Sequence, residues 1–463
     1  MQSAGISTVD AKKISPFTYR AIDDAYLVAN DFGNWAFLTT DDFKAYVEGD
    51  LDSDSPAFNV LRSKNFLIDE LDEKAATRRV ELRYQALKFG PRVHILALNR
   101  DAVSADDSDD EGLPAAQMSK EVVERALDLA FMSTSPELSF SFRGDSPLSN
   151  WDILTYAVEY AKNRNDIALK KLRFSLDTEA DLLDDEKVAW LAEQGILVRL
   201  FFDENSFEAG SDQARWAKSL AEAMNASEAE GGAVVALVAC SPGLMGKAKL
   251  VVDTCVELGI RCVDLMTHDI RNINDASDGY TGCSVDDYRR FYQEAFGQMF
   301  EAGISEWTAM GYLRRIFAAE ECDDFELSSP AIDGVGQFSY DVDGNVYTSD
   351  AGRVVFEQRD DPIFMIGHVT RTGYQDLVYH PTVRALVLAT TLEVQPGWIN
   401  STYKHYAGKA PVLSYLEHGS LQGRMTDSVS TQLQFAILDT LFEHLHGADD
   451  EQLSRLRTFA GLA

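Results

Sequence analysis

Residues 233–265 read AVVALVACSPGLMGKAKLVVDTCVELGIRCVDL, and this stretch contains the pattern that decides the fold. An apolar run at 233–239 is followed by an amphipathic stretch at 247–259, which ends at a glycine, and then by a second apolar run at 260–265. Short apolar runs between turn residues predict buried strands, and apolar residues three and four positions apart predict a helix. The stretch therefore predicts two parallel strands joined by a crossover helix.

The same pattern recurs from residue 93 onwards, on both sides of the opening stretch. Further strands are predicted at 93–98, 138–142, 171–176 and 196–201, and further helices at 119–132, 150–162, 184–195 and 284–303. Six β-then-α units indicate an α/β chain with a parallel sheet, which can be a partial barrel or an open doubly wound sheet. The spacing of the predicted strands and helices does not distinguish a barrel from an open sheet. Both architectures bind ligands beyond the carboxyl ends of the strands.

A smaller module is predicted on each side of this sheet. YLVAN (26–30) and NWAFLT (34–39) predict a hairpin, and helices are expected at 39–49 and 53–67, with a charged connecting helix at 70–90. After the sheet, residues 336–350 predict a hairpin that turns at Asp343-Gly344, and residues 430–447 predict a helix. We therefore divide the chain into residues 1–90, 91–303 and 304–463.

The charge of the chain limits its partners. Its 75 acidic and 42 basic side chains give a formal net charge of -33, which repels phosphate backbones and anionic membranes. We expect no nucleic-acid or membrane partner, and explain the charge by solubility, with an acidic docking face for a basic partner as the alternative. The five cysteines are widely spaced and no apolar segment is long enough to span a membrane, so a reducing, cytoplasmic location is expected.

Known catalytic and metal-binding motifs do not fit the chain. Only two residues separate Gly243 from Gly246, so this stretch predicts a turn before a helix and not a phosphate loop. Asp341-Val-Asp343-Gly344 places its glycine too early for a calcium loop, and His94 is expected to be a hydrogen-bonded core or rim residue. With no HExxH and no GxSxG, the residues alone indicate no catalytic group and no metal site.

Four stretches of the sequence nevertheless resemble one family. They are YLVANDFGNWAFLTTDDF (26–43), FSFRGDSPLSNW (140–151), the 236–265 part of the opening stretch, and DGNVYTSDAGR (343–353). Together with the order of the three sections, they resemble the radical S-adenosylmethionine (radical SAM) peptide maturases with a SPASM-type C-terminal extension, especially those of His-Xaa-Ser systems. The resemblance covers nearly the whole chain. It implies a partial (β/α)6 barrel between a small N-terminal α+β module and a SPASM-like C-terminal α+β module.

The resemblance also implies a cofactor whose ligands are missing from this chain. In the family, the first barrel strand leads into a CxxxCxxC loop, whose thiolates hold a [4Fe-4S] cluster that binds S-adenosylmethionine (AdoMet). Here the corresponding loop is RDAVSADDSDDEG (100–112), and the first cysteine of the chain is Cys240. Aspartate is a hard ligand and is no ordinary substitute for thiolate in an iron-sulfur cluster. We therefore expect neither the cluster nor bound AdoMet.

Two further departures from the family accompany this loss. Gly144-Asp145-Ser146-Pro147 occupies the position of the family's GGEP, so Gly144, Asp145 and Ser146 are interpreted as a vestigial AdoMet loop or as a turn kept for folding. In the C-terminal module, cysteines of the family are replaced by Trp398, Ser401 and Ala407. Joint loss at three places is explained more simply by loss of the whole redox function than by separate local replacements.

These observations lead to a first hypothesis, a pseudoenzyme. Such a protein would bind a precursor peptide, assist an active radical SAM maturase, or both. The N-terminal module resembles precursor-peptide recognition domains, in which a peptide adds to a sheet edge, and the strand edges around 26–39 are the expected site. The alternative is that this module only packs against the barrel.

A second hypothesis is a non-radical enzyme that binds AdoMet or another small molecule at the barrel mouth. In that case the acidic loop 101–111 could hold a hard cation such as magnesium, or be a solvated loop. The carboxylates considered are Asp101, Asp106, Asp107, Asp109 and Asp110. A third possibility is a structural component of an assembly.

Overall fold

The computed structural model describes residues 14–83, 89–102, 113–207, 211–267, 282–317, 334–392 and 395–462. Most of the acidic loop lies outside these ranges, including Asp106, Asp107, Asp109 and Asp110. The alternatives for this loop, a magnesium site or a solvated loop, therefore fall outside the described residues, except for Asp101.

The N-terminal module is a three-stranded antiparallel sheet followed by three helices. Its elements are β1 (Phe17–Ile22), β2 (Ala25–Asn30), β3 (Trp35–Thr39), α1 (Thr40–Glu48), α2 (Pro56–Ser63) and α3 (Glu73–Arg83). Thr39 and Ser55 cap α1 and α2 by accepting hydrogen bonds from backbone N–H groups of the first turn. The hairpin of β2 and β3 was predicted, but the sequence analysis missed β1, although its sequence FTYRAI alternates apolar and polar residues from Phe17 to Ala21.

The central section alternates strands and helices as predicted. Its strands are β4 (Val93–Ala97), β5 (Asn99–Arg100), β6 (Ala116–Gln117), β7 (Glu137–Arg143), β8 (Lys171–Thr178), β9 (Leu197–Phe202), β10 (Ala233–Ala239) and β11 (Cys262–Met266). Its helices are α4 (Lys120–Phe131), α5 (Trp151–Ala168), α6 (Asp185–Glu193), α7 (Asp212–Ala226), α8 (Ala248–Glu257) and α9 (Val285–Ala302). The Gly243–Lys247 segment is a turn before α8, which confirms that part of the prediction.

The C-terminal section adds short strands and seven helices among the described residues. The strands are β12 (Ser305–Glu306), β13 (Gln337–Tyr340), β14 (Asn345–Tyr347) and β15 (Met365–His368). The helices are α10 (Trp307–Phe317), α11 (Asp350–Arg359), α12 (Tyr374–Val378), α13 (Pro381–Thr390), α14 (Pro411–His418), α15 (Val429–His446) and α16 (Asp450–Phe459). None of the helices in the described ranges is long and apolar enough to cross a bilayer.

One ten-stranded sheet joins the central and C-terminal sections. Its order is β12-β11-β10-β9-β8-β7-β4-β13-β14-β15, and the six predicted strands in its centre are parallel. Because β12 and β15 are its two edges and do not pair with each other, the barrel is open. The partial (β/α)6 barrel is therefore confirmed, while the boundaries at residues 90 and 303 stay predictions.

Alternation along the strands separates an apolar outer face from an inner face that carries charged as well as apolar side chains. On β9, for example, Val198, Leu200 and Phe202 belong to the core beneath the helices, whereas Arg199 points to the inner face. The same core continues into the N-terminal sheet and into α15. The inner face is therefore the part of the barrel in which polar chemistry can take place.

Candidate functional site

The inner face of the barrel carries an alternating chain of charged side chains, which we call the ion ladder. Four members extend from parallel strands, and three lie on α11 of the C-terminal section. In order along the ladder, they are Asp264, Arg199, Asp177, Arg143, Asp350, Arg353 and Glu357. The register places Asp177 directly beside Arg199, and the helical spacing of the α11 residues aligns them on one face.

Short ion pairs connect the strand residues of the ladder. Arg199 bridges Asp264 and Asp177, with nitrogen-to-oxygen distances of 3.1 and 3.2 Å. Arg143 continues from Asp177, at 3.1 Å, to Asp350, at 3.0 Å. The ladder therefore extends across the barrel from β11 to the helix of the neighbouring section.

Helix α11 completes the ladder. Arg353 Nε lies 2.8 Å from Asp350, and the same guanidinium also binds Glu357. All three side chains are more than nine-tenths buried. Charges buried to this extent require partners, and each finds its partner on the ladder.

The ladder shifts the pKa values of its members. Although burial opposes ionisation, Arg353 and Arg143 lower the pKa of Asp350 to about 2. Burial also opposes the charge on Arg143, yet Asp177 and Asp350 raise the pKa of its guanidinium. At the two ends, burial raises the pKa of Asp264 and of Glu357. Asp350 is thus held ionised by its two arginines, whereas burial acts against ionisation of the carboxyl groups at the two ends.

The predicted AdoMet loop lies beside the ladder at the carboxyl end of β7. Gly144 has a φ of 135°, and a Cβ there would lie 2.4 Å from Asn99 Oδ1. The same Asn99 oxygen accepts a hydrogen bond from the Ser146 backbone N–H at 3.0 Å, and the Asp145 carboxylate accepts one from the Asp101 backbone N–H at 2.6 Å. The turn therefore holds the start of the acidic loop, and the assignment of Gly144, Asp145 and Ser146 to AdoMet stays a prediction.

A second connection ties the start of the acidic loop to the C-terminal section. The buried Arg100 guanidinium pairs with Asp343 at 2.8 Å and donates to the carbonyl of Pro114. Asp343 lies in the turn between β13 and β14, where Asp341 accepts hydrogen bonds from the backbone N–H groups of Asp343 and Asn345. The Asp-rich stretch 341–344 thus forms its own turn, consistent with its rejection as a calcium loop.

The predicted positions of the auxiliary-cluster cysteines lie in an aromatic core. Trp398, Ser401 and Ala407 are all buried. Around them, Trp398 packs edge-to-face on Phe435, with ring centroids 5.6 Å apart, and Tyr403 stacks on Phe442 at 5.6 Å. Large aromatic side chains therefore fill this part of the C-terminal section.

The described cysteines do not fit a [4Fe-4S] cluster. Cys240, Cys255, Cys262 and Cys283 lie on or near β10, α8, β11 and the start of α9, far along the chain from the loop after β4. Burial raises the pKa of the Cys255 thiol to about 12, and that of the Cys240 thiol is raised as well. Iron-sulfur clusters are held by cysteine thiolates, and the sequence from 93 to 112 has no cysteine. The residues at this position therefore do not fit a [4Fe-4S] cluster.

His94 occupies the core position predicted for it. Its Nδ1 lies 2.9 Å from the Tyr340 hydroxyl and its Nε2 lies 3.2 Å from the carbonyl of Pro91. Burial lowers the pKa of the imidazole to about 3. His94 is therefore a neutral, hydrogen-bonded core residue.

The sequence analysis missed the ion ladder, although the sequence contained a signal for it. Single charged residues interrupt apolar strands at Arg199 and Asp264, and Asp177 follows the apolar part of β8; alternation assigns all three to the inner face. A buried charge is costly unless it is paired, so charges of opposite sign on neighbouring strands predict internal ion pairs. The pairing with α11 could not be predicted, because it depends on how the C-terminal section lies on the barrel.

Comparisons with known proteins agree with this architecture. A structure of histidine-tagged anSMEcpe with bound AdoMet superposes with a TM-score of 0.58 at 14% identity, over 79% of this chain and 98% of the other. Native anSMEcpe with bound AdoMet and Cp18Cys peptide gives a TM-score of 0.58 at 15% identity, over 81% of this chain and 100% of the other. The fold is that of the radical SAM peptide maturases.

A larger radical SAM maturase structure extends the match. Streptococcus suis SuiB bound to precursor peptide SuiA superposes with a TM-score of 0.50 at 13% identity, over 90% of this chain and 99% of the other. No protein-family model matches the sequence, and neither does any curated protein. The predicted radical SAM type of fold is thus confirmed from structure.

Proposed function

We propose that this chain is a cluster-free protein of radical SAM maturase fold that binds a peptide, and that it serves as a peptide-binding or partner subunit of a peptide-modification system. The observation that carries the proposal is the ion ladder. It places paired charges on the inner face of the barrel, where this fold would otherwise present groups to a ligand.

Loss of the cluster ligands supports the same proposal. The loop after β4 has no cysteine. The polar groups of the neighbouring turn already have partners within the protein, because the Ser146 N–H donates to Asn99 and the Asp145 carboxylate accepts from the Asp101 N–H. In the C-terminal section, the predicted cysteine positions hold Trp398, Ser401 and Ala407, and Trp398 packs on Phe435. Together these features favour a scaffold whose interior is used for stability.

Peptide binding is supported by the fold and by the N-terminal module. Two structures with this fold contain peptides, the Cp18Cys peptide in anSMEcpe and the precursor peptide SuiA in SuiB. The N-terminal sheet of this chain has two edge strands, β1 and β3, to which an extended peptide could add. A precursor peptide is therefore the proposed ligand, and an active maturase the proposed partner.

Anaerobic reconstitution tests the proposal. The full chain is incubated with ferrous iron and sulfide, desalted, and analysed for iron content and for absorbance in the iron-sulfur region. We expect no stoichiometric iron; a full complement of cluster iron would overturn the proposal.

Calorimetric titration with AdoMet tests whether the cofactor is lost along with the cluster. Because structures with this fold bind AdoMet, the titration also separates the pseudoenzyme from a non-radical enzyme. We expect no binding heat. Saturable binding would overturn the cofactor-free assignment and favour the enzyme.

A further inference from the structure

Among the residues that the structure describes, the backbone groups on the outer edge of β1 have no hydrogen-bond partners. The Asn30 N–H donates to Asn34 O across the β2–β3 turn, so Asn30 directs its backbone groups towards β3. Because backbone direction alternates along a strand, Ala25, Leu27 and Ala29 of β2 face β1. By the pairing register, their neighbours are Ile22, Arg20 and Thr18.

It follows that Phe17, Tyr19 and Ala21 direct their backbone N–H and C=O groups away from the sheet. Within the described part of the chain, no group bonds to them. On the opposite edge, by contrast, the Trp35 carbonyl of β3 accepts a hydrogen bond from Lys64 Nζ at 2.8 Å. An open strand edge is a template for a further strand, and β1 is the more open of the two.

The two faces of β1 differ in chemistry. On one face, the Tyr19 and Phe43 rings lie 5.0 Å apart and those of Tyr26 and Phe43 lie 4.2 Å apart, and Tyr19 is 58% exposed. On the other face, Arg20 lines a cavity of about 390 Å³ together with residues at the start of α9 and on α15. A strand beside β1 would therefore meet an aromatic surface on one side and this cavity on the other.

Two arginines and one acidic residue, the exposed Asp286, line the cavity. Arg20 is already paired, because its guanidinium makes two hydrogen bonds of 2.7 Å to Asp439. Arg289 also lines the cavity, yet within the described ranges it makes no ion pair, and its buried Nε has no hydrogen-bond partner. In a chain with a net charge of -33, an unpaired arginine in a cavity is a complementary partner for a carboxylate.

We infer that the outer edge of β1 and the adjoining cavity bind an extended peptide that alternates apolar side chains with at least one acidic side chain. The peptide backbone pairs with Phe17, Tyr19 and Ala21, its apolar side chains cover Tyr19, and its carboxylate binds Arg289. This inference rests on the proposed peptide-binding function and adds the strand edge and the chemistry of the ligand. It differs from docking at β3.

Fluorescence anisotropy with the full chain tests the inference. The probe is a fluorescein-labelled peptide of alternating valine and threonine with one central glutamate, and the matched probe has lysine in place of glutamate. We expect the glutamate peptide to bind about tenfold more tightly, since a charge-assisted hydrogen bond contributes on this order. Arg289→Gln should abolish the difference between the peptides.

Arg290→Gln is the matched control. It removes the same charge one residue away, from an exposed side chain that pairs with Asp287, and it should leave the preference unchanged. Equal affinity for the two peptides in the unmodified chain, or a preference that survives Arg289→Gln, would overturn the inference. Circular dichroism of each variant checks that it is folded.

Backbone methylation of the probe tests strand pairing without altering the protein. N-methyl groups are placed on alternate residues in two complementary versions of the glutamate peptide. Because only one edge of an added strand pairs with β1, one version should lose binding and the other should keep it. Equal binding of both versions would overturn the pairing.

Sedimentation velocity distinguishes a second copy of the chain as the occupant of the edge. A dimer that dissociates on Arg289→Gln substitution would overturn peptide binding at this edge in favour of self-association.

The outcomes of these experiments also separate this inference from the proposed function. Peptide binding that is insensitive to Arg289 refutes only the β1 site, whereas cluster formation on reconstitution refutes the proposed function and leaves the anisotropy result intact.

Discussion

At the scale of single residues, the barrel interior is governed by the cost of burying charge. Desolvation of one ion costs several kcal/mol, and the cost is recovered only where partners with good geometry are present. Arg143 shows this balance, because it lies between Asp177 and Asp350 and also donates to Ser141. Removal of Arg143 would deprive the buried carboxylates of Asp177 and Asp350 of one positively charged partner.

Arg143→Ala is expected to lower the free energy of unfolding by about 3–5 kcal/mol, because it breaks a buried ion pair by removing one partner. Urea denaturation followed by circular dichroism measures the change. Arg164→Ala is the control, since Arg164 pairs with Asp128 at a partly exposed site, and it should cost at most about 1 kcal/mol. Similar losses in both variants would show that the ladder does not stabilise the fold.

Glu306 gives a prediction for pH dependence. This buried residue, the last of β12, accepts hydrogen bonds from the Ala309 N–H at 2.5 Å and the Tyr292 hydroxyl at 2.8 Å. Burial, reinforced by nearby Asp264, raises the pKa of the carboxyl to about 7. Because the folded protein holds this proton more tightly than the unfolded chain, the protonated carboxyl stabilises the fold. This contribution is complete below the ordinary pKa of a glutamate and is lost as the pH rises towards 7.

The stability advantage of the natural chain over Glu306→Gln should therefore shrink as the pH rises from about 5 to about 8. The variant keeps a neutral group at the position and does not ionise. Urea unfolding of both proteins at each pH measures the advantage. A constant advantage across this range would show that Glu306 does not titrate there.

At the scale of elements, the turn after β7 depends on one glycine. Gly144 adopts a φ of 135° and approaches Asn99 so closely that a Cβ would lie 2.7 Å from the Asn99 carbonyl oxygen. Asn99 in turn accepts from the Ser146 N–H. The turn is thus fixed by backbone geometry that other residues do not readily adopt.

Gly144→Ala is expected to lower the free energy of unfolding by about 1–3 kcal/mol, the cost of a strained backbone conformation. Thermal and urea unfolding measure the loss. Gly297→Ala in α9 is the matched control, because a Cβ there meets nothing within 4 Å. The control should be neutral or stabilising by up to about 1 kcal/mol, and an equally small effect at Gly144 would contradict the close approach.

At the scale of the whole molecule, one hydrophobic core connects the N-terminal sheet, the barrel and the C-terminal helices. Trp35 of β3 packs edge-to-face on Phe442 of α15, with centroids 5.5 Å apart, and the Tyr406 hydroxyl donates to the carbonyl of Gly33. The N-terminal module is therefore held against the C-terminal section through apolar and hydrogen-bonded contacts. The net charge of -33 acts in the opposite direction, because repulsion between like charges destabilises the compact state.

Raising the ionic strength should therefore stabilise the protein. The Debye length falls from about 10 Å at 0.1 M to about 3 Å at 1 M, which screens surface repulsion more than the buried ladder. We expect a higher melting temperature at about 1 M sodium chloride than at about 0.1 M. Potassium chloride should act alike, and a melting temperature that falls with either salt would contradict net repulsion as the dominant surface effect.

The sequence by itself determined the order and type of most elements and the absence of cysteine from residues 93–112. Periodicity is a local property, so the strands from β4 to β11 and their helices could be predicted, and the missing cysteines could be read directly from 93–112. Strand β1 was missed although its residues alternate between apolar and polar from Phe17 to Ala21.

Only the tertiary structure decided which charges meet and which strand edge stays open. Asp177 and Asp350 lie far apart in sequence, and they share Arg143 only because α11 lies against the barrel. The partners of a buried charge are chosen by the fold as a whole, since the cost of burial is met by whichever opposite charge the packing brings within reach.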